Sequence, residues 1–222
     1  MKSREFYKLI RELLDPVLKT YGFSRTGSRR ANYHRIVSGN IYHIIEPWLT
    51  GRTGDGYEIR VLATSPLIDI SFDDRFPDRV GMPEGRLTSL HPEHGMQITN
   101  SQYRFKARRA DFLVEDFGRK TKQAIERFAI PYLNDIQNIQ DLRSAMTETS
   151  TLDYGLALWH TGDVNKAINI IKAVLSEHQK WLQVFKSHEP VAKRNRASHE
   201  DSVQFETARI EFITGFLNGN SA

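Results

Sequence analysis

Tyr21-Gly22-Phe23-Ser24-Arg25-Thr26-Gly27-Ser28-Arg29-Arg30 runs into Ala31-Asn32-Tyr33-His34-Arg35-Ile36-Val37, and this passage sets the fold because a helix ends in it and a strand begins. Upstream, Phe6, Ile10, Leu13, Leu14, Val17, Leu18 and Tyr21 recur at the 3.6-residue period, which predicts a helix with one buried stripe. Ser3 suits its N-cap and Gly22 a left-handed stop. Pro16 lies inside the pattern; because the stripe continues past it, a kink is expected there rather than a break.

Downstream, Tyr33 to Val37, the turn Ser38-Gly39-Asn40, and Ile41 to Trp48 read as two strands of a hairpin. Tyr57 to Thr64 is a third strand, with Tyr57, Ile59, Val61 and Ala63 alternating with Glu58, Arg60 and Thr64, and Leu67 to Phe72 suggests a short addition. Residues 73 to 94, rich in proline, glycine and charge, read as a long irregular loop, and Met96 to Phe105 as a return to strand. From Arg109 the period changes to helical, through Phe112, Leu113, Phe117, Ala124, Ile125, Phe128 and Ala129, with a break at Pro131 and a further helix from Ile139 to Met146. The remainder reads as helices: one around Leu152, Leu156 and Trp159, one from Ala167 to Phe185, a polar basic loop from Ser187 to Asp201, and a last helix carrying Phe205, Ile210, Phe212, Ile213, Phe216 and Leu217. The expected fold is therefore α+β. An N-terminal helix, a mainly antiparallel sheet of about four strands and a long helix form a domain over 1–148, and a helical extension over 149–222 packs on it.

The chain has 222 residues, 39% hydrophobic and 26% charged, which suits a globular protein with a real core. It contains no cysteine, so disulfides, thiolate metal sites and cysteine nucleophiles are excluded. The opening Met1-Lys2-Ser3-Arg4-Glu5-Phe6 interrupts its apolar residues with charge, unlike a signal peptide, and no stretch is long enough to span a bilayer; a cytoplasmic location is the expectation. The net charge of +4 is modest, but Arg25, Arg29, Arg30 and Arg35 cluster with no acid among them, as do Arg104, Lys106, Arg108 and Arg109, and again Lys193, Arg194 and Arg196. Such runs are ordinary on solvated loops; the sharper reading is contact with an anionic partner.

The order of helix, Gly22-Phe23 with basic residues and Gly27, three strands, and a long helix ending Ile130-Pro131-Tyr132-Leu133 before Ile139-Gln140-Asp141-Leu142 resembles the bacterial family called domain of unknown function 4304. The resemblance covers the first two thirds of the chain and departs from the family pattern at residues 73–94, which leaves the alignment of the fourth strand open. It implies an α+β domain of an accessory or immunity-type protein, and no catalytic residues. Separately, residues 154–163 with Ala167, Ile171 and Val174 resemble one tetratricopeptide-type hairpin, in which Gly155 and Ala167 let two helices approach. A lone unit of that kind cannot bury its apolar face and is expected to dock within the chain.

Signals for catalysis are weak. His91 and His94 have a helical metal spacing, but Pro92 and Gly95 argue against a helix, and no third ligand follows. Asp69, Asp73 and Asp74 read better as the end of a strand and the start of a turn than as a cation site. His34 and His43 fall on neighbouring strands that would let them face one another. There is no nucleophile elbow, phosphate loop or dinucleotide fingerprint. No catalytic residue, metal ligand or cofactor is assigned. The leading expectation is a non-enzymatic, immunity-type or regulatory factor that occludes a protein partner with its sheet face or long loop. Two alternatives stay open: nucleic-acid binding by Arg25, Arg29, Arg30 and Arg35 with stacking by Tyr33 or Tyr42, and a metal-dependent hydrolase built on His91, His94 and the aspartates.

Overall fold

The structure is a computed structural model that describes residues 3–26, 32–38, 41–50, 56–68, 88–91, 95–98, 115–146, 151–187 and 193–220. The chain divides into two units, Met1–Thr147 and Glu148–Ala222.

In the first unit, α1 (Ser3–Thr20) buries Ile10, Leu14, Val17 and Leu18 and runs through Pro16 without a break. Its end is a Schellman motif. Gly22 adopts φ +79°, the Gly22 N–H donates to the Lys19 carbonyl and the Phe23 N–H to the Leu18 carbonyl, and Phe23 and Leu18 are both buried. The chain then enters a six-stranded antiparallel sheet in sequential order: β1 (Ser24–Thr26), β2 (Asn32–Val37), β3 (Ile41–Thr50), β4 (Gly56–Thr64), β5 (Thr88–His91) and β6 (Gly95–Ile98). Four of these strands match the expected ones; β1 and β5 are additional. β5 falls inside the stretch read as irregular loop, so 88–91 is pleated, whereas Leu67 and Ile68 form a turn closed by the Ile68 N–H on the Ser65 carbonyl, and the rest of the short strand expected over Leu67 to Phe72 lies outside the described residues.

After the sheet, α2 (Glu115–Ala124), one π-helical turn (Ile125–Ala129) and α3 (Ile130–Asn134) follow without interruption. The helix was expected to break at Pro131, yet it passes through. Proline brings no N–H and its ring crowds the carbonyl four residues back. The π turn immediately before it, with the Ile130 N–H bonded to the Ile125 carbonyl, widens the backbone where that crowding falls. The rod ends at Asp135. Asn138 then caps α4 (Ile139–Ala145), accepting from the Gln140 and Asp141 N–H groups, while Asp141 accepts from the Gln137 N–H.

The second unit has α5 (Leu152–His160), α6 (Val164–Ser187) and α7 (Lys193–Gly219). Thr151 caps α5, and Gly162 at φ +90° repeats the Schellman geometry, with the Asp163 N–H on the Leu158 carbonyl. The stretch 193–201, read as part of a loop, is the start of α7. The α5–α6 approach depends on Gly155: a Cβ built there would lie 2.7 Å from Ile171 Cγ1, while Ala167 opposite is fully buried. Gly155→Ala is expected to cost about 1–3 kcal/mol through overpacking. A urea midpoint that does not move would show that these helices do not meet as described.

Candidate functional site

Strand register assigns each side chain to a face. Tyr33 pairs with Ile45, which pairs with Val61, and Arg35 pairs with His43, which pairs with Ala63; these share the face on which Tyr33 meets α1. His34 pairs with Ile44 and so points to the opposite face. The two histidines expected to face one another are therefore on different sides of the sheet.

On the first face, Arg35 is committed inside the fold. Its Nε donates to His43 Nδ1 at 3.1 Å, one terminal nitrogen donates to the Tyr21 carbonyl at 3.0 Å, the other bonds Asn134 Oδ1, and the guanidinium carbon lies 4.8 Å from the Phe23 ring centroid. Tyr21 ends α1 and Asn134 ends α3. One cation thus serves the carbonyl-rich C-terminal ends of two helices, where positive charge is favoured. His43 completes the arrangement: Nε2 donates to the Ile136 carbonyl at 2.7 Å, which leaves Nδ1 to accept from Arg35. The ring is fully buried, and burial first, then the charge of Arg35, drive its pKa down to about 4 against the pull of the Ile136 bond. Burial also lowers the Arg35 pKa. Tyr33, itself buried, donates to Asp15 Oδ1 at 2.6 Å, and Arg25 Nε lies 3.5 Å from the same oxygen. Burial, then the bond to Asp15 and its charge, push the phenol pKa upward.

The four arginines proposed for an anionic partner are therefore placed unevenly. Arg35 is a structural cross-link, Arg25 is paired with Asp15, and Arg29 and Arg30 lie outside the described residues. Tyr33 cannot stack on a base because it is buried under α1, while Tyr42 is half-buried on the other face. His94, Asp69, Asp73 and Asp74 are outside the described residues, and so is the basic cluster at 104–109. His91 is placed by its backbone in β5. Among the described residues no group of three or more His, Asp or Glu stands ready to hold a metal ion, and no helix is long and apolar enough to cross a membrane.

The surface that stands out is in the second unit. Helices α6 and α7 are antiparallel: His178 Nδ1 lies 2.6 Å from Glu206 Oε2, and Phe185 meets His199 edge-on. With nine residues against twenty-four and twenty-seven, α5 covers only part of this pair. Its Gly155 backbone lies against Ile170 and Ile171 of α6, and Trp159 meets Phe216 of α7 at 5.2 Å between ring centroids. Trp181 and Val184 follow Ile170 by about three and four whole helical turns, and Phe205 precedes Phe216 by about three, with Phe212 one turn away, so all four continue the side on which α5 sits. They are exposed: Trp181 by 50%, Val184 by 44%, Phe205 by 51% and Phe212 by 42%. The seam that α5 occupies thus continues beyond it as an open apolar seat between two helices. This seat is not evident from sequence periodicity alone. Its signal was the breadth of apolar positions on the last helix, where Phe205, Phe212 and Phe216 form one row and Ile210, Ile213 and Leu217 another.

No protein-family model matches the chain, and no match was found among curated proteins or solved structures.

Proposed function

We propose that this protein is a non-enzymatic binding factor that holds a protein partner in the seat on α6 and α7 and acts by occluding what it holds. The observation that carries this reading is the exposure of Trp181 and Phe205 along a seam that a helix already fills at its other end. Aromatic side chains supply large contact area at small entropic cost, and Trp is prominent among residues that dominate interfaces. A groove between two helices that already takes α5 suits an amphipathic helix of the partner laid in line with α5.

The test is comparative co-purification from the cells that produce the protein, with wild type and Trp181→Glu side by side. A partner retained by wild type in near-stoichiometric amount is expected to be lost from the variant, since such an anchor carries about 2 kcal/mol or more. The thermal midpoint should not change, because Trp181 is half exposed. The same proteins recovered with both forms would rule out the seat as the binding surface.

A further inference from the structure

We infer that the π turn at Ile125–Ala129 is a register device: it takes up one residue so that α2 and α3 turn a single buried stripe inward while the end of α3 stays where Arg35 and His43 hold it. The buried positions along this rod are Thr121, Ala124, Ile125, Ala129, Ile130 and Leu133. Residues five apart stand about 140° apart around an unbroken α-helix, and residues seven apart nearly in line. An α-helix that buried Ile125 would therefore turn Ile130 outward and bring Tyr132 inward. The structure does the reverse: Ile125 and Ile130 are 0% and 3% exposed, whereas Tyr132 is half-buried. The bond from the Ile130 N–H to the Ile125 carbonyl closes a turn one residue longer than an α-turn, and that residue supplies the missing rotation.

The rod needs such a device because both of its halves are anchored. The π turn lies beside β5 and β6, with Ile125 and Ala129 fully buried. Beyond it, Asn134 bonds Arg35 of β2 and the Ile136 carbonyl bonds His43 of β3. The far end of the rod cannot rotate to suit the near end without breaking these bonds, so the difference in register is absorbed between them. Pro131 keeps it there. In an ordinary α-turn its ring would crowd the carbonyl four residues back, which disfavours collapse of the wide turn. The device thus has two coupled parts, an extra residue and a proline that holds it out of the α-ladder.

A deletion tests this in the full-length chain. Removing one residue from a helix ordinarily rotates one side against the other by about 100° and destroys a buried stripe. Here removal of Arg127, whose side chain is exposed, sets Ile125 and Ile130 four residues apart, about 40° around an α-helix, and keeps one stripe. The deletion alone places Pro131 in an α-turn and should lower the folding equilibrium constant about a hundredfold. Pro131→Ala added to the deletion should bring it back to within about threefold of wild type, a coupling that independent changes would not show. Urea unfolding reads these values. An NMR titration of His43 reads whether α3 still reaches it: in the double variant the ring should stay neutral at about pH 5.5, as in wild type with its pKa at about 4. A double variant no more stable than the deletion alone overturns the inference. So does one in which His43 titrates at about pH 6.5, because the Ile136 carbonyl would then have left it.

Discussion

Replacing His43 with leucine is expected to lower the unfolding free energy of this chain by about 2–6 kcal/mol, from two unmet polar groups at roughly 1–3 kcal/mol each. The ring is fully buried, and leucine fills much of its volume, so the loss does not come from a cavity. It comes from hydrogen bonds. The Ile136 carbonyl, in a buried position, loses the donor 2.7 Å away, and the half-buried Arg35 Nε loses the acceptor at 3.1 Å. The effect propagates because Arg35 also holds the Tyr21 carbonyl and Asn134, so the ends of α1 and α3 loosen together. His43→Gln keeps a donor and an acceptor on a side chain of similar reach and should lose less than half as much. Urea unfolding of the intact chain measures both; equal losses for leucine and glutamine would mean that packing, not hydrogen bonding, holds this site.

The second large effect is on acid stability. With its folded-state pKa at about 4 and an ordinary value of 6.5, His43 stays neutral in the native protein over a range where the unfolded chain binds a proton. The unfolded state then carries more protons, so stability falls as pH falls. The contribution is fully present above about pH 6.5 and is lost progressively toward pH 4, for a total of about 3 kcal/mol. Protonation also puts a hydrogen on Nδ1, directly against the Arg35 N–H that it accepts in the neutral form. Carboxylates titrate in the same range, so the quantity to measure is the difference between wild type and His43→Gln. Unfolding free energies of the two should converge and then cross as pH drops from about 6.5 to about 4. Parallel curves would show that His43 titrates normally.

Much of the fold was legible because it follows from local pattern. The α1 stripe, Gly22 as a left-handed stop, the alternation in β4 and the small residue at 155 each report a constraint imposed by near neighbours. Strand β1 was not legible, since Ser24-Arg25-Thr26 is three residues long and carries no apolar alternation; only pairing with Asn32-Tyr33-His34 makes it a strand. Arg35 was misread for a similar reason. In sequence it closes a basic run, and its true partners, at positions 21, 43 and 134, come together only through the hairpin register and the helix ends. Pro131 reads as a stop because a π turn is not visible in periodicity. The apolar positions of α6 and α7 were visible, but the seat depends on α5 being too short to cover them, and that is a matter of tertiary length.

The most direct test of the account's central claim is photocrosslinking inside the producing cells, with benzoylphenylalanine placed in turn at Trp181, Phe205 and Leu67. Leu67 is a control in the other unit, exposed by 44%. Discrete adducts are expected from positions 181 and 205, identified by mass spectrometry as one defined partner, and none from 67. Adducts from 67 alone, or none from 181 and 205, would contradict it.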